Sequence, residues 1–374
     1  MNKSILLLAI LLVLSFLTSA QEKQPNKDSI KNKVVSGKTI TISGVLQPRY
    51  TVSLTPGVDV NGAHFDSAAK AINNNFSLRR VRFQVKAQLN EHFEAGILVN
   101  FAEFAGNPTG KVLENAFVKY NMNRHFHLMA GQFRPFIGIE DVIPADLIRS
   151  VDFTNGYYSL GKNGWQSFQA GVAVFGDISK KLRYYAGVHN GNSRNQATDN
   201  DNRKHVYGRL EADIAKNITL GANAGYGSFK NTKGDMYGAD VKSSFKLGNN
   251  WHFDLDMAYK NGTNFSYFDT LKVKPALKDI RISNFYAIPI IRHDFNLSGL
   301  KSIEFSNRYE YLTESNHYNP NPRQTFTPML GFEFVEKYSA FFQIGAVIDA
   351  YKNNIPKTTT YSHNTMVAQL QLRF

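Results

Sequence analysis

The sequence predicts an all-β fold: a transmembrane antiparallel β-barrel of about 16 strands, with one long loop folded inward. Three observations carry this. Apolar and polar residues alternate with period two along most of the chain after Thr39. Short connections alternate with mostly long ones, and no stretch reaches the roughly 18 apolar residues that a membrane helix needs.

The chain opens with Lys3, an apolar stretch over 5–17, and the small residues Thr18, Ser19 and Ala20, the pattern of an export signal cleaved after position 20. About thirteen apolar residues are too few for a spanning helix. The polar segment 21–38 contains no second apolar block and is expected in the periplasm, which leaves 39–374 for the barrel.

Two-faced strands are expected at 39–54, 75–89, 93–105, 112–122, 125–133, 165–175, 182–190 and 204–213. They continue at 218–229, 235–247, 251–260, 282–291, 301–312, 325–334, 340–351 and 362–374. An even count returns both ends of a closed barrel to the same side. Tight connections rich in turn formers fall at 90–91, 123–124, 176–181, 215–217, 248–250 and 335–338. Longer ones fall at 55–74, 134–164, 191–203, 261–281, 313–324 and 352–361, with two short exceptions at 106–111 and 230–234. Tyr120, Tyr226, Trp251, Tyr259, Tyr309 and Tyr311 sit near strand ends, where an amphipathic ring rests at headgroup level. In the last strand Met366, Ala368, Leu370, Leu372 and Phe374 share one face, while Val367, Gln369, Gln371 and Arg373 share the other.

Composition fits an exported β protein. The 374 residues include 28 Phe, 18 Tyr and 27 Gly but no Cys, which excludes disulfides, a lipidated cysteine and thiolate metal sites. A mean hydropathy of −0.32 would mark a soluble chain, but a barrel evades that test because its lumen face is polar. The formal charge is +13, an asymmetry that calls for anionic partners.

The strand at 75–89 places Arg80, Arg82, Gln84, Lys86 and Gln88 opposite Val81, Phe83, Val85, Ala87 and Leu89. Cations two residues apart lie about 6.6 to 6.8 Å from each other, so they form a column that attracts anions along a lumen wall. Arg49, Lys119, Arg183 and Arg209 extend it on other strands. The alternative is a solvated wall whose cations pair across strands with Glu94, Glu211, Asp240, Asp254 or Glu304. The segment 134–164 is too long and apolar for an ordinary hairpin loop, and folding it into the lumen would bury its apolar residues and narrow the pore. Its charges are Arg134, Arg149 and Lys162 against Glu140, Asp141, Asp146 and Asp152.

The stretches FSLRRVRF at 76–83, GQFRPFIGIE at 131–140, LIRS at 147–150 and GVAVFG at 171–176 resemble the phosphate-selective porin O and P family. The resemblance implies a sixteen-stranded outer-membrane barrel, usually a homotrimer, with an inward third loop and basic residues that guide anions. It places Arg80 and Arg82 on the basic wall, and Arg134 and Arg149 beside the constriction loop. Phe374 resembles the carboxy-terminal signal read by the barrel assembly machinery. The expectation is a passive porin in the outer membrane of a Gram-negative bacterium, bathed by outer-membrane lipid. Its water-filled channel leans towards small anionic solutes such as phosphate or polyphosphate.

Catalytic readings are weaker. His125 and His127 share a strand face without a third ligand, and nothing in the sequence brings Ser306, His252 and Asp254 together. No nucleotide, zinc-protease or nucleophile-elbow motif is present, so no catalytic residue, metal or cofactor is expected, and an exported chain rarely meets nucleic acid. An outer-membrane barrel enzyme and a secreted soluble β-rich glycan-binding protein are the competing classes.

Overall fold

The computed structural model describes residues 38–374 apart from 106, 108, 197, 200 and 296; the signal placed at 1–20, and 21–37 of the polar segment, lie outside the described residues. Sixteen antiparallel strands pair in chain order, and the last returns to the first to close the barrel. They are β1 (Thr39–Ser53), β2 (Asn74–Gln88), β3 (Phe93–Asn100), β4 (Leu113–Asn123), β5 (Phe126–Phe133), β6 (Gln169–Asp177), β7 (Leu182–His189) and β8 (His205–Ala215). The other half comprises β9 (Ile218–Phe229), β10 (Thr232–Lys246), β11 (Trp251–Thr263), β12 (Arg281–Asp294), β13 (Ser302–Thr313), β14 (Arg323–Val335), β15 (Ala340–Tyr351) and β16 (His363–Arg373). Closure satisfies every sheet edge, which a membrane interior requires of a β structure.

Period-two patterning explains the strands. In β16, Met366, Leu370 and Leu372 are exposed on the outer face, and Val367, Gln369 and Gln371 are buried inside. The same division holds around the wall, with Ile42, Phe83, Ile97, Val118, Leu210, Phe305 and Leu330 turned outward. Aromatic rings concentrate towards the strand ends. Phe93 packs on Tyr120 at 5.0 Å on the short-turn side, and Tyr309 on Phe326 at 5.0 Å on the long-loop side. Trp251, Tyr226 and Tyr259 are also exposed near strand ends.

The seam joins β1 to β16 from Val45 opposite Arg373 to Ser53 opposite Thr365. Gly44 and Phe374 exchange backbone hydrogen bonds of 2.8 and 3.2 Å. A Cβ on Gly44 would lie 2.2 Å from the Phe374 ring, so the missing side chain is what lets the ring lie across the seam.

Two boundaries differ from the sequence expectation by four residues or more. β3 ends at Asn100, and 101–104 wind into a single 3₁₀ turn. β6 begins at Gln169 instead of 165, because Trp165 and Gln166 belong to the inward loop. Trp165 is buried against Leu160, Met236 and Phe265, with its indole N–H donated to the Thr263 carbonyl at 2.9 Å. An indole with a satisfied polar edge is better placed in that core than on a wall.

β2 contains one irregularity with a functional consequence. Gln47 pairs with Arg80, but the next residue of β1, Pro48, pairs with Leu78, so Arg79 is bulged out of the ladder. Proline has no N–H to give the ladder and is found at such bulges. The bulge turns Arg79 inward beside Arg80, where strict alternation would have sent it to lipid.

Phe83→Arg on the outward face of β2 is expected to destabilise the inserted barrel by about 2 to 4 kcal/mol near the midplane, as measured by reversible urea unfolding in lipid.

Candidate pore constriction

The segment between β5 and β6 enters the lumen and carries two short helices, α1 (Ile139–Val142) and α2 (Asn155–Lys162). Its apolar residues find cover against the inner wall: Ile137, Leu160 and Trp165 pack with Tyr207, Met236, Phe265, Ile282 and Leu312, and Val151 packs with Met329 and Val367. This burial fills the side of the lumen bounded by the longer strands.

Polar staples fix the loop in place. Asp152 Oδ2 accepts from Arg49 Nη1 at 2.7 Å, and Asp152 Oδ1 from Arg79 Nε at 2.6 Å and Arg80 Nη2 at 3.4 Å. Burial alone would raise the pKa of Asp152, but the three guanidinium groups hold it far below the ordinary carboxylate range. On the opposite wall Arg149 reaches Glu304 at 2.6 Å and Asp254 at 3.0 Å. Arg134 folds back to donate to the carbonyls of Glu140 and Ile143, both at 2.8 Å. Glu140 accepts from the Thr154 backbone at 2.7 Å and hydroxyl at 2.9 Å, with Lys260 Nζ 3.5 Å away. Fully buried Glu310 accepts from the Asn155 and Gly156 N–H groups at 3.0 and 2.8 Å, at the amino end of α2 where the helix dipole favours an anion.

Water-accessible space remains against the β1–β7 wall, as two chambers. One of about 750 Å³ on the short-turn side is lined by Arg82, Lys86, Arg134, Lys337 and Arg373 against Asp141 and Asp146. The other, about 690 Å³ on the long-loop side, is lined by Arg79, Arg80, Arg82, Lys111, Lys162 and Arg194 against Glu103 and Glu114. Arg82 and Phe168 border both chambers and mark the constriction. The Phe168 ring lies 5.7 Å from the Arg134 guanidinium and 6.0 Å from that of Arg194, within cation–π range.

The cations expected on the wall face inward in different settings. Arg49 and Arg80 hold the loop through Asp152. Arg82 pairs with Glu114 at 2.7 Å, Lys119 with Glu94 at 2.8 Å and Arg183 with Asp213 at 2.7 Å. Arg209 is sealed against Asp240 at 2.6 Å and donates to the Ile137 carbonyl. Lys86 lines the short-turn chamber and makes no ion pair among the described residues. Of the loop residues, Lys162 is exposed at the end of α2, while Glu140 and Asp141 are buried. Asp141 accepts from Gln166 at 2.6 Å; burial pushes its carboxyl up to about 6, against the opposing pull of Lys260, Arg134 and that hydrogen bond.

Sequence reasoning missed Arg79, Lys111, Tyr158, Phe168 and Arg194. Pro48 inside a strand was the signal for Arg79. Lys111 and Arg194 come from two other loops, which only the closed barrel brings up to the inward segment that carries Tyr158 and Phe168. The residues considered for catalysis are occupied elsewhere. Ser306 donates to the Arg149 carbonyl at 2.8 Å, Asp254 pairs with Arg149, and His252 lies 2.9 Å from Asp294. His125 and His127 contact the Asp177 carbonyl and the Asn121 side chain at 2.6 and 2.8 Å.

A closed sixteen-stranded barrel with an outward apolar band, a charged lumen and a loop folded across it defines an outer-membrane channel of the porin class. The family described as "Putative beta-barrel porin-2, OmpL-like" matches residues 39–369, and the chain belongs to that family. No curated protein has a matching sequence. Among solved structures, the outer membrane channel DcaP of Acinetobacter baumannii is similar over 91% of this chain and 99% of its own, with a TM-score of 0.60 at 12% identity. OmpT of Vibrio cholerae in its trimer form is similar over 90% and 100%, with a TM-score of 0.56 at 12% identity. A porin refined at 1.8 Å matches over 90% and 100%, with a TM-score of 0.51 at 11% identity. At these identities the likeness is one of fold.

Two outcomes follow from the loop. Asp152→Asn removes a lumen carboxylate and frees three guanidinium groups, so the zero-current potential in a salt gradient is expected to move towards anions. The Asp141 carboxylate is charged above about pH 6 and neutral below, while an unfolded aspartate stays charged down to about pH 4. Its burial therefore favours the folded state most at low pH, and this contribution is lost as pH rises through 6. Lowering the pH from 7 to 5 is expected to increase anion preference, with a smaller step in Asp141→Asn.

Proposed function

We propose that the protein is a passive, anion-leaning porin in the outer membrane of a Gram-negative cell, carrying small hydrated solutes down their gradients without any covalent step. The observation that carries this is the imbalance of charge along the open path: six cationic side chains face two carboxylates in the long-loop chamber. Phosphate and polyphosphate belong to the class of solutes such a path would favour. Many of the expected wall cations are tied in ion pairs, Arg82 with Glu114 among them, so the selective field comes chiefly from Lys86, Lys111 and Lys162, and Arg49, Arg80 and Arg209 act first as structural anchors. The reading includes an export signal at 1–20, recognition of Phe374 by the barrel assembly machinery, and a homotrimer. The trimer form of the similar Vibrio cholerae OmpT supports the last point.

Zero-current potentials in planar bilayers under a KCl gradient test the reading. A charge about 6 Å from the ion path in a water-like medium is worth about 0.7 kcal/mol, or about threefold in permeability ratio. Lys86→Gln combined with Lys111→Gln is thus expected to lower the chloride-to-potassium ratio severalfold. Wild-type channels that prefer potassium, or well-folded protein that forms no channels, would reject it.

A further inference from the structure

We infer that the long-loop chamber is a binding site for anions that carry a flat ring, with the ring stacking on Tyr158 and the anionic group meeting Lys162. This rests on the porin reading and names a solute class for it. Helix α2 presents Tyr158 and Lys162 four residues apart, hence on one face, and both are exposed to the chamber. The exposed face of a phenol ring contributes little to passing a bare hydrated ion, and that apolar face gains from cover. Tyr158 is 40% exposed, although Tyr157 packs on it edge-to-face at 5.7 Å and Phe153 at 6.4 Å. Those contacts hold the ring upright. Its hydroxyl accepts from Arg79 Nη2 at 2.8 Å, which fixes the ring's tilt and keeps the guanidinium in the chamber.

The charges suit such a ligand. Arg79 is engaged by Asp152 and Arg82 by Glu114, whereas Lys162 and Lys111 line the same chamber without an ion pair among the described residues. An incoming phosphate or carboxylate therefore meets ammonium groups that need not first release a partner. The chamber volume of about 690 Å³ is within the range that holds a ring-bearing small molecule. Stacking then adds to the affinity of the anionic group.

Block of single-channel current by phenyl phosphate, compared with inorganic phosphate, tests this. In the wild type, phenyl phosphate is expected to block with about tenfold higher affinity. Tyr158→Ala should collapse that ratio towards one, Tyr158→Phe should preserve it, and Lys162→Gln should weaken block by both. Equal block by the two probes in an anion-preferring wild-type channel would overturn the inference and leave the porin reading intact. Loss of the ratio in Tyr158→Phe as well as in Tyr158→Ala would overturn it too, since the hydroxyl contact to Arg79 and not the ring face would then set the preference. Channels without anion preference would overturn both readings.

Discussion

The contact between Asp152 and three arginines from the wall is the constraint on which the lumen's shape depends. A carboxylate at that depth is costly to desolvate, and only the convergence of Arg49, Arg79 and Arg80 makes its charged form stable there. In return the loop's midpoint is anchored to β1 and β2, while Arg149 draws the preceding residues across to β13. Held from two sides, the loop can neither lie flat on one wall nor leave the lumen. The open path is what remains between it and the strands near β2.

This arrangement divides the lumen's cations by task. Those most enclosed, such as Arg209, hold backbone carbonyls and carboxylates in register and are poorly placed to meet a solute. The lysines at the ends of flexible stems, Lys86, Lys111 and Lys162, keep their heads in water and act as point charges on the path. Counting basic residues on an inward face thus overstates the field that a passing ion feels. Burial and partners decide which of them count.

The strands were legible because a sheet with lipid outside and water inside writes its two environments into alternate residues; β9 and β15 match residue for residue, and the sixteen-strand count holds. The inward loop was legible from its apolar run, which no exposed hairpin could carry. Arg79 was not, because the bulge at Pro48 resets the alternation, and a period-two rule has no means of skipping a residue. Nor was the end of the loop: Trp165 and Phe168 have the composition of a strand, and only their packing places them in the plug and the constriction. The partners of Asp152 lie 72 to 103 residues away in sequence, a pairing that depends on closure of the barrel.

The seam between β1 and β16 sets the order in which this molecule can come into being. Every other pairing joins strands adjacent in sequence and can form hairpin by hairpin, but the seam unites residues about 330 apart, a loop whose closure entropy alone is about 5 kcal/mol. Until the final strand arrives, β1 and β15 would each offer a row of unpaired amides to the hydrocarbon, at several kcal/mol for each group. A half-built sheet is therefore unstable in the bilayer. In a bare bilayer, insertion and closure are therefore coupled.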